Sequence, residues 1–67
     1  MDEFRVMGHI AKKIVDLRQD QTNFLAGGGA KDFAEYRHVC GVIRGLNHAE
    51  SIVDDLVQRL EKSDDAI

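Results

Sequence analysis

The sequence has no proline and no tryptophan, one cysteine, and only four aromatic residues, Phe4, Phe24, Phe33 and Tyr36. Without proline, no helix is kinked or stopped by a proline ring. A single cysteine, Cys40, excludes an internal disulfide, and the three histidines, His9, His38 and His48, make a thin metal-binding inventory. No apolar run approaches the ~20 residues that a membrane span requires. The opening MDEFRVMG is acidic, without the basic-then-apolar order of a secretory signal, so a reducing cytoplasm is the expected compartment. Neither sign of charge dominates. Charged residues make up 31% of the chain and the net charge is −3, which fits a folded helical protein better than a disordered or strongly basic one.

What is present is short: 67 residues, one domain at most. A chain of this size buries only about 60% of the surface its unfolded form exposes. Below ~70–80 residues one core rarely supplies more than ~3–5 kcal/mol. With no disulfide and no evident metal set, a partner chain is the expected source of further stability.

The apolar residues repeat with helical spacing. Over residues 2–25 they are Phe4, Met7, Ile10, Ala11, Ile14, Leu17, Phe24 and Leu25, and the series 7, 10, 14, 17, 21, 24 steps by three and four with only Gln21 against it. Asp2 is placed to cap this helix, with Glu3 at the positive end of its dipole. Residues 26–31, AGGGAK, form a turn, with Gly27 the expected left-handed C-cap. A phosphate-binding loop needs a further glycine, a lysine and Ser or Thr at fixed offsets after a strand, and these are missing. Asp32 with Glu35 three residues on is a capping-box variant, and a second helix follows over residues 32–62. Its main stripe is Val39, Val42, Ile43, Leu46, Ala49, Val53, Leu56 and Leu60, widened by Tyr36, Cys40, Ile52 and Val57. Residues 63–67 are expected to fray. The fold predicted is all-α: an antiparallel two-helix hairpin that oligomerises or docks on a larger protein.

Chemistry has little to work with. His38 and Cys40 point about 200° apart on a helix and cannot share a metal. Ser51 has His48 and Asp55 on its face, but Asp55 lies nearly two turns from His48 and cannot orient its ring. A hairpin has no enclosure from which to exclude water. No catalytic residue, cofactor, metal or small-molecule substrate is expected. Arg5, Lys12, Lys13, Arg18, Arg37 and Arg44 are scattered among acids, and the net negative charge argues against phosphate tracking.

Two glycines remain to be explained. Gly41 and Gly45 stand inside the second helix, where each costs about 1 kcal/mol relative to alanine. With Ala49 they put small side chains on successive turns, a shape that lets a second helix approach or accepts a bulky side chain such as Phe4, Phe24 or a partner's residue. The predicted packing residues are therefore Gly41, Gly45 and Ala49 for close approach. Met7, Ile10, Ile14, Leu17, Val42, Ile43, Leu46, Val53, Leu56 and Leu60 are expected to fill the seam.

The stretch DFAEYRHVCGVIRGLNHAESIVDDLVQRLEKSDD resembles a class of small, mostly uncharacterised proteins encoded by tailed bacteriophages, especially short-tailed ones. The residues that carry the resemblance are Tyr36, Arg37, Cys40, Gly41, Ile43, Gly45, Leu46, Ala49, Asp55 and Leu56, in the second half of the chain. They form a packing pattern rather than a catalytic one. The resemblance implies a non-enzymatic phage protein of the virion or its assembly, associated with capsid, portal or tail, and found in the host cytoplasm during infection or in the particle. Its partner would be itself or a larger phage protein. The competing expectation is a small regulator that binds and inhibits a protein of the bacterial host.

Overall fold

A computed structural model describes residues 2–65 and shows two helices, α1 over Glu3–Ala26 and α2 over Phe33–Asp65, folded against each other as a hairpin. At 1.5 Å per residue they are about 36 Å and 50 Å long. The caps lie where the sequence places them. The Asp2 carboxylate accepts from the Phe4 backbone N–H at 3.0 Å, and the Asp32 carboxylate accepts from the Glu35 N–H at 2.8 Å. Each satisfies a donor that the first helical turn leaves without an intrahelical partner. The second helix runs to Asp65, past the expected end at residue 62, with no glycine or proline after that residue to stop it; residues 66 and 67 lie outside the described residues.

The turn corrects one detail. Gly27 closes α1 with an ordinary negative φ of −83°, and the left-handed residue is Gly28, at φ 76°. The reversal is tightened by Gly28 N–H donating to Leu25 O at 3.0 Å and Gly29 N–H to Phe24 O at 2.8 Å. At Gly29 it is space that demands glycine. A Cβ there would stand 2.5 Å from the Phe24 ring.

The seam between the helices follows a strict seven-residue repeat. From α1 it takes Phe4, Met7, Ala11, Ile14, Arg18, Gln21 and Leu25, all half-buried. From α2 it takes Val39, Ile43, Leu46, Glu50, Val53, Val57 and Leu60. Val39 and Val53, 6% and 8% exposed, are the residues most fully enclosed. Alternating steps of three and four keep such a row facing its neighbour, as in an antiparallel coiled coil. Of the residues expected in the seam, Met7, Ile14, Ile43, Leu46, Val53 and Leu60 are there. Ile10, Leu17, Val42 and Leu56 are not; each is exposed beside it. The reason is that Met7, Ile14 and Gln21 belong to two overlapping repeats. One continues through Phe4, Ala11, Arg18 and Leu25, the other through Ile10, Leu17 and Phe24. The first is the row that turns to α2, and it brings Arg18 to Glu50.

Candidate functional site

The two rows that make up each side of the seam have different neighbours, and these define two flanks. On α1 the row of Arg18 is bordered by Gly8, Val15 and Thr22, and the row of Ile14 by Ile10, Leu17 and Phe24. On α2 the row of Glu50 is bordered by Cys40, Asn47, Asp54 and Glu61, and the row of Val53 by Val42, Ala49 and Leu56. Because the helices are antiparallel, equivalent rows face the same side. The Arg18 guanidinium shows this directly: it pairs with the Glu50 carboxylate and donates to Asn47 Oδ1 at 3.0 Å. On the opposite side, Gln21 and Phe24 share a surface hollow with Glu35, His38 and Val39.

One flank is therefore polar, with Arg18, Asn47 and Glu50 paired within the chain. Both ends of the Arg18–Glu50 pair are slightly more than a quarter exposed, so neither charge is stranded in an apolar interior. The other flank is apolar. Over its middle the bordering residues are Ile10, Leu17, Phe24, Val42, Ala49 and Leu56, with Glu35 continuing the row at the turn end; just outside them Val6, Gly45 and Ile52 alternate with Lys13, Asp20, His38 and Arg59. Leu17 is 52% exposed and Ile52 62%. Most of the large apolar side chains that the hairpin leaves exposed lie on this side; Val15, Phe33 and Tyr36 are the exceptions.

The three small residues separate by position. Ala49 is half-buried at the edge of the apolar flank, and Gly45 lies beside it on the outer row. Gly41 is on the back of α2, beside a hollow lined by Phe33, Tyr36, Arg37, Cys40 and Arg44. A Cβ added at Gly41 or Gly45 would meet nothing within 4 Å. Within the hairpin, then, neither glycine sets the contact between the helices, and neither Phe4 nor Phe24 covers them. Any occupant of the space at Gly45 comes from outside the hairpin.

The remaining polar residues are spread over the surface. His9, His38, His48, Ser51 and Asp55 are exposed, and Asp55 is engaged with Arg59 at 3.1 Å. Lys12 pairs with Asp16 at 3.0 Å and Lys31 with Glu35 at 3.8 Å, each across one helical turn; exposed pairs of this kind contribute only a few tenths of a kcal/mol. Among the described residues no group of three His, Cys, Asp or Glu side chains could hold a metal ion, and no helix is long and apolar enough to cross a membrane. Tyr36 has its ring 6.2 Å from that of Phe33, roughly parallel, and Arg37 lies 6.0 Å from the Phe33 ring centre. A hydrogen bond with Cys40, one turn on, raises the Tyr36 hydroxyl above the ordinary tyrosine pKa.

Two features escaped sequence reasoning: which repeat forms the seam, and the Arg18–Glu50–Asn47 cluster. The signal for the cluster was present. Arg18 falls seven residues from Ala11 and from Leu25, and Glu50 seven from Ile43 and from Val57. Opposite charges on two such rows mark a polar layer. No known protein family matches the chain, and no curated protein or solved structure with which it was compared matches it either.

Proposed function

We propose that the chain is a non-enzymatic assembly protein that works by helix–helix packing, using the side of the hairpin that its own fold leaves uncovered. The observation that supports this reading is the apolar flank, with Ile10, Leu17, Phe24, Val42 and Leu56 exposed along one side of the seam. Fully burying a large apolar side chain contributes about 1.5–3 kcal/mol. A hairpin with few enclosed residues thus has further stability to gain from covering this side. Contiguous exposed apolar surface of this kind marks an interaction site.

Following its resemblance to phage proteins, the chain would act in the virion or its assembly, on itself or on a larger capsid, portal or tail protein. It would be found in the host cytoplasm during infection and in the particle. The deciding experiment is mass spectrometry of particles purified at successive stages of assembly. The chain is expected as a stoichiometric component of at least one stage. Its absence from all of them, together with capture of one host protein, would replace this reading with a small regulator that binds and inhibits a bacterial protein.

A further inference from the structure

We infer that the apolar flank is covered by a second copy of the same chain, turned about a two-fold axis across the helices at Ala49, to give an antiparallel four-helix bundle. The inference deepens the assembly reading by naming the first partner, and it rests on how the flank matches itself.

When a helix packs antiparallel on its own copy, residues equally far before and after the axis face each other. With the axis at Ala49, Val42 faces Leu56 of the second copy. Gly45, four residues before the axis, comes within one residue of the level of Ile52 of the second copy, three residues after it: an empty site beside the most exposed large side chain of the flank. The pairing occurs twice, and Ala49 itself meets Ala49 on the axis, where small side chains permit close approach. Large against small in register is what lets packed layers interdigitate without voids.

The first helix obeys the same axis. Gln21 adjoins Val39 and Arg18 reaches Asn47 and Glu50, which brackets the level of Ala49 on α1 between residues 11 and 19, the stretch that holds Ile14 and Leu17. An axis near Ile14 brings Ile10 and Leu17 of the two copies to within one residue of the same level, so one symmetry operation is compatible with both helices.

Area and charge agree. The hairpin measures 54 × 17 × 15 Å, so a broad side offers roughly 900 Å² of projected surface, against about 800 Å² per partner for a stable interface. With the turns at opposite ends, Glu35 beside the turn comes towards the end of the second copy's α2 that carries Arg59, each of them also paired within its own chain, Glu35 with Lys31 and Arg59 with Asp55. Placing both turns at the same end would instead gather Asp20 and Glu35 of both copies. The polar flank, with Arg18 already paired to Glu50, faces away.

Sedimentation equilibrium of the full chain tests this. The expected mass is twice the 7.5 kDa of one chain. Ile52→Glu should weaken association roughly 100-fold or more by burying a charge while helicity persists. Val15→Glu, the same change on the polar flank, should leave association intact. In a Cys40→Ser background, Ala49→Cys should oxidise to a covalent dimer and Asp54→Cys should not. A fully helical monomer at ~100 µM, about the concentration at which a micromolar complex is saturated, would overturn the pairing. Dissociation by Val15→Glu as strong as by Ile52→Glu would do the same, as would crosslinking through position 54 as readily as through 49. A monomer that still enters particles would overturn the pairing and leave the assembly reading standing; a dimer absent from all particles would do the reverse.

Discussion

Leu17 and Arg18 are adjacent in sequence and border the same seam, yet they serve opposite sides of the hairpin. Arg18 looks across to Glu50 and Asn47 and is satisfied within the chain. Leu17 looks outward and is half exposed. The division holds over the middle of the molecule. One flank pairs Arg18, Asn47 and Glu50 within the chain, and the other leaves Ile10, Leu17, Val42 and Leu56 exposed. A fold that completes only one of its flanks has a built-in direction: the polar layer fixes which row enters the seam, and so which row is left for another chain.

The largest effect should come from destroying the seam that both flanks share. Val53→Asp puts a carboxylate among enclosed apolar side chains and should cost about 3–5 kcal/mol. That equals the whole stability expected of so small a core. Loss of helical circular dichroism at all concentrations is expected. A variant that stays folded would show that the seam holds less of the stability than its burial indicates.

Next comes the polar layer. Arg18→Ala leaves Glu50 and Asn47 without their donor and, since both are reached by solvent, should destabilise by about 1 kcal/mol, read as a lower thermal midpoint. Replacing Arg18 and Glu50 together by leucine should recover that loss or exceed it, since apolar pairs often outperform partly buried ion pairs. The same double variant removes the difference between the flanks. With both sides apolar, the chain should form mixed or larger assemblies, visible by sedimentation. If it keeps the assembly state of the natural chain, the polar layer contributes nothing to the choice of face.

The helices themselves, their caps at Asp2 and Asp32 and their antiparallel arrangement were legible in the sequence, because each rests on residues within a turn or two of one another. The choice of seam was not. Phe4, Ala11 and Leu25 on one side of Met7 and Ile14, and Ile10, Leu17 and Phe24 on the other, are equally apolar, and periodicity cannot rank them. What ranks them is Arg18 meeting Glu50 from 32 residues away, a contact that local spacing does not display. The same limit moved the left-handed turn residue from Gly27 to Gly28, and it left Gly41 and Gly45 looking alike although they stand on different surfaces.

Those glycines sharpen the comparison. In each, a Cβ has free space in the hairpin, so Gly41→Ala and Gly45→Ala should each raise helix stability by about 1 kcal/mol. Their effects on association should diverge. Gly41, on the back of α2, should tolerate the change. Gly45, at the apolar flank, should lose affinity, and Gly45→Leu should lose far more while stabilising the isolated hairpin. Equal tolerance at both sites would mean that the space at Gly45 receives nothing.

The smallest effect belongs to Tyr36 and Cys40, which sit on the polar side at the start of α2. The hydrogen bond with Cys40, reinforced by the charge a thiolate would place beside the phenolate, holds the Tyr36 hydroxyl above its ordinary pKa of 10.0. The folded chain therefore keeps a proton that the unfolded chain releases. By linkage, stability is unaffected below about pH 10 and falls as pH rises through the folded-state pKa. The ring is about half exposed, and solvent screening keeps the effect small. Absorbance at the phenolate band should show Tyr36 titrating late in the natural chain and returning towards ordinary behaviour in Cys40→Ala. Association should be the same in both, because this pair faces away from the apolar flank. A Cys40→Ala chain that loses association would place part of the interface on the polar side and remove the distinction between the flanks.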